Sequence, residues 1–391
     1  MFHKRTLEKL SRLLKVFSRK DSRYRFRVSS WEDFSRLPIS GREDLKAFCD
    51  DNVIQGAVNF TATSGSTSSR LFIAHSREAY RAHQQRLVRL YHALGITKGM
   101  VCLNLCSYEL NSGGRLMESA LKAAGAGVIP LGPLNSPEKI REACVLVKQL
   151  RPVVVNAYTN QLFDLFSVLG RDHSIETCLV NGELMWPGYR RRMEAMGGVR
   201  IHDHYGAMEI SGLAVALHPD DEYMKVFAQG LLLEVLTDSG QTSRTGAGDL
   251  LVTDVNNSCM PVIRYRLGDR VELKRRKGSL WIKILGRTAE SFLVNGVVVI
   301  KKELIRTVTD ALGHPNFFVI VDKDSQHYGD RLMINVIGGS LKTLKALPDL
   351  IIKTLGLDHC VVARNHQGVL PRTSNGKIRY FVAANKEHEK I

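Results

Sequence analysis

Between Ser76 and Val180, short apolar runs alternate with longer amphipathic ones, and this rhythm restricts the fold more than any other feature of the chain. The runs Val101 to Leu105, Gly127 to Leu131, Val153 to Asn156 and Thr177 to Val180 have strand length. The segments around them are REAYRAHQQRLVRLYHALG after Ser76, Leu116 to Ala124, Pro137 to Gln149 and Gln161 to Gly170. These have helical spacing, and Gly95, Gly125 and Gly170 close three of them. Strands and helices joined by short connections predict a mostly parallel sheet covered by helices. Ligands of such sheets lie outside the carboxyl ends of the strands, so the residues following each strand are where chemistry is sought.

The pattern changes downstream. From Leu231 to Leu285 the turn signals Asp238-Ser239-Gly240, Gly246-Ala247-Gly248 and Lys277-Gly278 separate alternating strands, which predicts antiparallel structure flanking the parallel sheet. After Gly286-Arg287 come strands at Phe292 to Val294, Phe317 to Val321 and Leu332 to Ile337, an Asn295-Gly296 turn, and helices near Lys302 to Leu312 and Leu341 to Leu355. A chain of 391 residues exceeds one ordinary core. The expected organisation is α/β, with a large N-terminal domain, 1–285, of helix-covered mostly parallel sheet plus an antiparallel part. A small C-terminal α+β domain, 286–391, follows it. At the other end, Leu7, Leu10, Leu13, Leu14 and Phe17 mark a helix with a cationic outer face, expected to pack on the body, with a membrane-surface helix as the alternative. LPISGREDL, Leu37 to Leu45, reads as a turn and a helix start.

Net charge is +16 and the pI near 9.6, which points to polyanionic partners: a nucleotide, coenzyme A, an acidic carrier protein, nucleic acid or a membrane surface. The chain shows no nucleic-acid recognition module and no aromatic-basic platform, which sets the nucleic-acid reading last. Seven widely spaced cysteines without a CxxC pair read as reduced thiols. No apolar signal region and no window of 18 apolar residues occur, so a cytoplasmic protein without a membrane span is expected.

Several stretches carry candidate chemistry. Thr61 to Arg70, TATSGSTSSR, puts hydroxyls around a glycine, where backbone N–H groups can turn onto phosphate oxygens; taken alone it also reads as a surface loop. Tyr205-Gly206-Ala207-Met208-Glu209 offers a flat ring, a glycine and a carboxylate suited to a base and Mg²⁺, or else a core tyrosine and an exposed helix start. Arg264 to Asp269 supplies an aspartate for two ribose hydroxyls, or a hairpin turn. Pro371 to Arg379, PRTSNGKIR, presents Lys377 on a turn. His202-Asp203-His204 lacks a third metal ligand at a recognisable spacing. Neither GxxxxGK[ST] nor GxSxG occurs.

In order, TSGST, GE at Gly182-Glu183, YGAME, YRLGD, LGR and PRTSNGK form a series that resembles the adenylate-forming superfamily of acyl- and aryl-CoA ligases, peptide-synthetase adenylation domains and luciferases. Ser107 to Gly114, AAGAGVIPLG, RPVVVNAYTNQL and LPISGREDL are similar to its phenylacetate-CoA ligase branch, over roughly Leu37 to Arg379. The resemblance implies ATP- and Mg²⁺-dependent activation of a carboxylic acid, then thioester formation with coenzyme A, or with the phosphopantetheine arm of a carrier protein. It implies that Thr63, Ser64, Gly65, Ser66 and Thr67 hold the β- and γ-phosphates, with Thr67 and Glu209 near Mg²⁺. Gly182, Glu183, Tyr205 and Gly206 would frame adenine, Asp269 and Arg287 bind ribose, and Lys377 bridge the carboxylate and α-phosphate from a rotating C-terminal domain. By the same analogy Tyr108, Asn156, Tyr158, Ser211 and Gly212 lie near the acyl pocket. The chain departs from the family at Ser68, where a glycine is usual, and at Ala289, where a hinge side chain is usual. It is also shorter, mainly at the N-terminus.

Overall fold

The computed structural model describes residues 4–51, 54–63, 71–110, 113–182, 185–287, 291–294, 297–324, 329–357, 359–365, 370–372 and 378–383. Among them, twelve strands form one mixed sheet. Its parallel part runs Arg200–Tyr205, Thr177–Asn181, Val154–Tyr158, Val101–Asn104, Gly127–Ile129. Neighbouring residues of these strands serve opposite faces, as a period of two requires. Leu103, Val155 and Cys178 pack under the helices Pro137–Leu150, Thr159–Leu169 and Pro187–Gly197. Cys102, Val154 and Leu179 pack under Arg77–Ala93 and Gly114–Ala123. Burial on both faces explains why Val101–Asn104, Val154–Tyr158 and Thr177–Asn181 read as near-continuous apolar runs.

Two of these helices start at clear sequence signals. Ser76 and Ser136 cap their helices by accepting from Ala79 N and Lys139 N, and Pro137 occupies the first turn, where a missing N–H costs nothing. The helix Pro187–Gly197 lacks a polar cap and was not legible in the sequence; Gly198, at φ +69°, ends it.

The antiparallel extension continues the same sheet through Ala214–Val215, Met224–Val226, Ser279–Arg287, Tyr265–Arg276, Gly246–Asp254, Leu231–Leu236 and Thr242–Ser243. The hairpin-turn reading of Arg264 to Asp269 is corrected here: Gly268-Asp269 lies inside a strand. Leu251 pairs with Arg266 and Asp249 with Arg270, so Leu267, Gly268 and Asp269 together face Leu250. Gly268 at φ +89° takes up the resulting bulge, and a bulge re-aims the side chain beside it.

Three N-terminal pieces dock on residues 254–266. The helix Lys4–Phe17 buries Leu10, Leu13, Leu14 and Phe17 against a cluster containing Val255 and Ile263, so its apolar face is spent on the body. Arg264, at φ +44°, puts a buried guanidinium on Glu234 (3.0 and 3.1 Å) and on the carbonyls of Ser35 and Leu37. Strands Ala57–Ala62 and Phe72–Ser76 pair as a hairpin, and Ser76 Oγ donates to Asn256 O at 2.8 Å. Beyond residue 300, helices Lys301–Leu312 and Leu341–Leu355 cover a separate sheet of Val361–Arg364, Gly329–Val336, Phe317–Asp324 and Phe381–Ala383. All seven cysteines are free, and no helix among the described residues is long and apolar enough to cross a membrane.

Candidate active site

The sheet brings the midchain motifs to one end. Tyr205 is the last residue of its strand, and its hydroxyl donates to Asp269 Oδ2 at 2.6 Å. Asp269 Oδ1 accepts from Arg287 Nε at 3.1 Å, because the two residues are register partners on adjacent strands. The Asp269 side chain is 10% exposed and that of Arg287 63%, so the pair faces solvent through its cation. Glu209 is buried next to them. Burial pushes its carboxyl up, while hydrogen bonding, including that with the Tyr265 hydroxyl, and the Arg287 charge pull it back down. A Cβ on Gly206 would stand 3.1 Å from Gly212 N, so this loop folds tightly on itself.

Of the hydroxyl-rich run, Thr61, Ala62 and Thr63 are described, at the end of the first hairpin strand. Thr63 continues the pairing through Thr63 N to Leu71 O at 3.0 Å, and its Oγ1 accepts from Arg42 at 3.1 Å. Ser64, Gly65, Ser66, Thr67 and Ser68 lie outside the described residues, as do Glu183, Ala289 and Lys377. Gly182 follows its strand directly, at φ +76°. The base of the Lys377 segment is fixed by an Arg372–Ile378 bridge and by Arg372 on Asp164 at 2.9 Å. Arg42 and Tyr265 sit beside Thr63 and Glu209, yet neither was singled out in the sequence. Their only signal was membership of LPISGREDL and YRLGD.

A cavity of about 80 Å³ opens beside this end of the sheet, with Met208 and Ser211 on its wall. Of the acyl-pocket residues expected by analogy, Ser211 lines it. Gly212, at φ +72°, packs against Leu87, where a Cβ would come within 2.9 Å of that side chain. Tyr108 accepts from Asn104 at 2.8 Å; Asn156 is buried, donating to Asn104 at 3.3 Å; Tyr158 is buried at the start of its helix. These three fall outside the lining. His202 and His204 are buried on the strand before Tyr205, and no group of three His, Cys, Asp or Glu side chains gathers as a metal cluster among the described residues.

This architecture is the fold of the adenylate-forming enzymes. It matches the 2-hydroxyisobutyryl-CoA ligase crystal structure in the postadenylation state with 2-HIB-AMP at TM-score 0.78 and 16% identity, over 98% of this chain and 89% of that one. The same enzyme in its thioesterification state with 2-HIB-AMP and CoA gives 0.65 at 18% identity, over 97% and 89%. By sequence the chain is similar to the phenylacetate-coenzyme A ligase of Thermus thermophilus, 24% identical over 288 residues, 68% of this chain and 64% of that one. It is also 24% identical to the Pseudomonas putida phenylacetate-coenzyme A ligase over 304 residues, 70% and 65%. The matched region thus spans slightly under two thirds of these relatives' length. No protein-family model matches the sequence.

Proposed function

We propose that this chain is an ATP-dependent acid–thiol ligase that activates a carboxylic acid as an acyl-adenylate and passes the acyl group to coenzyme A. The observation that carries the reading is the convergence of Tyr205, Glu209, Asp269 and Arg287, from three motifs, at one end of the sheet. Asp269 offers a nucleotide's ribose an acceptor already aligned by Tyr205 and Arg287. The run from Thr63 to Thr67 would hold phosphates, and Gly182, Glu183, Tyr205 and Gly206 would frame the base. The acid's carboxylate oxygen attacks the α-phosphorus, and the bond to the β-phosphate breaks with its electron pair leaving on pyrophosphate. The thiolate then attacks the acyl carbonyl and AMP departs. Lys377 neutralises the charge that accumulates when two anions meet. Glu209 fits a divalent cation, since a carboxylate penalised by burial gains from a positive ion; Mg²⁺ held by Glu209 and Thr67 would supply positive charge to the phosphate oxygens.

Residues 286–391 act in this reading as a unit that brings Lys377 to the nucleotide. Its own apolar core, built on Phe317, Val319, Ile334 and Ile351, supports the division. The stronger likeness to a postadenylation structure than to a thioesterification structure supports an arrangement with this unit docked for the first half-reaction. Coenzyme A is preferred to a carrier protein because the relatives by sequence bear CoA-ligase names. Purified protein with ATP and a panel of aryl and short acyl acids should exchange labelled pyrophosphate into ATP, and Lys377→Ala should abolish it. Folded protein that exchanges with no acid overturns the reading. Offering coenzyme A and a phosphopantetheinylated carrier separately identifies the acceptor.

A further inference from the structure

The helices that cover the parallel sheet meet the C-terminal segments through an ion pair that no motif announced. Arg372 Nη2 lies 2.9 Å from Asp164 Oδ2, and the two side chains are 19% and 11% exposed. Burial pushes the Asp164 carboxyl up, and the Arg372 guanidinium beside it works in the opposite direction. Trp186 Nε1, donating to Asp310 Oδ1 at 2.8 Å, and the Phe163 and His314 rings, 6.2 Å apart, cross the same junction. Of these contacts the ion pair stands nearest to Lys377 along the chain. Arg372 bridges to Ile378, and Arg379 N donates to Pro371 O at 2.8 Å, so both ends of the stretch 373–377 are tied at Arg372. Lys377 is the chain neighbour of Ile378. On the other side of the pair, Asp164 lies in the helix that starts at Thr159, directly after the strand Val154–Tyr158. From Thr159 to Asp164 a helix rises about 7–8 Å. Asp164 therefore stands close to the end of the sheet where Tyr158 pairs with Asn181, and Asn181 with His204, just before Gly182 and Tyr205.

We propose that Asp164 is a positioning residue for adenylation: through Arg372 it holds the ends of the stretch 373–377 where Lys377 meets the α-phosphate. The proposal rests on the acid-activation reading above, which gives Lys377 its task, and adds the residue that sets its place. A lysine ammonium on a flexible four-carbon stem brings charge but little direction of its own. Its place depends on where its backbone is fastened, and a pair of largely buried charges fastens more firmly than an exposed one. In the second half-reaction the thiolate attacks the acyl carbonyl and AMP departs, so no anion attacks phosphorus and the ammonium has no such charge to neutralise. Asp164 thus matters to the first half-reaction and not to the second.

The test follows the two half-reactions separately, with an acid and a thiol that the wild type accepts. Asp164→Asn keeps the shape of the side chain and removes its charge. Its kcat for pyrophosphate exchange should fall about 10- to 100-fold, the scale of a misplacement by about 1 Å. KM for ATP and for the acid should stay as in the wild type, because the displaced group acts only in the transition state. Arg372→Gln, made from the other side of the pair, should reproduce this loss, and Asp164→Glu should recover part of it. Thioester formation from the synthetic acyl-adenylate of that acid should keep its wild-type rate in all three variants. Wild-type exchange in Asp164→Asn overturns the proposal while leaving acid activation standing. Both half-reactions falling together, or neither charge-removing variant folding, shows that the pair supports the fold alone and also overturns it. No exchange by the wild type with any acid removes the underlying reading, and this one with it.

Discussion

Two of the carboxylate-centred polar clusters among the described residues stand in opposite conditions. Asp269 sits at the sheet's end with Tyr205 and Arg287, and its cationic partner reaches solvent. Asp254 sits inside with His83, their side chains 0% and 2% exposed. At Asp254 burial works against the charge, yet the hydrogen bond from His83, the Arg86 charge and the Asn256 amide hold its carboxyl below the usual range. The same burial strips the proton's charge from His75 and His83. An accessible ion pair can trade partners with an incoming ligand at small cost, whereas a buried network keeps one arrangement and presents fixed, neutral polarity. The difference separates a solvent-facing charge that can exchange partners from a fixed, neutral polarity in the interior.

Asp254→Ala is the severest way to break the contrast, because it leaves His83 and the Arg86 guanidinium buried without their carboxylate. A loss of about 3–5 kcal/mol is expected, read as a lower urea midpoint. Asp269→Ala should barely move that midpoint. It should instead lower kcat/KM for ATP about 10- to 100-fold, the scale of one hydrogen bond to a charged group at roughly 1.5–3 kcal/mol. If both variants act alike on stability, the distinction between the clusters fails. The smallest effect, taken per pH unit, concerns protons. Buried His204, with no partner among the described residues, is lowered by desolvation to about 4, against ~6.5 when unfolded. Its native state favours the neutral ring, so its contribution is complete above about pH 6.5 and is lost as pH falls towards 4. In His204→Leu the slope of stability against pH in that window should fall by about one proton, roughly 1.4 kcal/mol per pH unit. An unchanged slope would show that His204 titrates normally in the folded chain.

Tyr205, Asp269 and Arg287 were legible in the sequence because each sits in a short local pattern, and the parallel strands were legible because burial on both faces leaves continuous apolar runs. The bulge that aims Asp269 was less so, since YRLGD is compatible with a turn until Leu250 is known to face three residues. The cluster around Asp254 was not legible. His83 and Asp254 are 171 positions apart, and His75, His83 and Asp254 each occupy an ordinary place on a strand or helix. Only tertiary packing makes them neighbours.

Arg264 and the residues around it impose an order in time as well as in space. Ser76 waits for Asn256, 180 positions later, and the Ser35 and Leu37 carbonyls wait for Arg264, 229 and 227 positions later. At synthesis rates of about 5–20 residues per second, the first docking pieces spend roughly 10 to 45 s outside the ribosome before their anchor exists. During that interval the apolar stripe of Leu10, Leu13, Leu14 and Phe17 lacks Val255 and Ile263, so the nascent chain is most dependent on chaperones before residue 264 has been made.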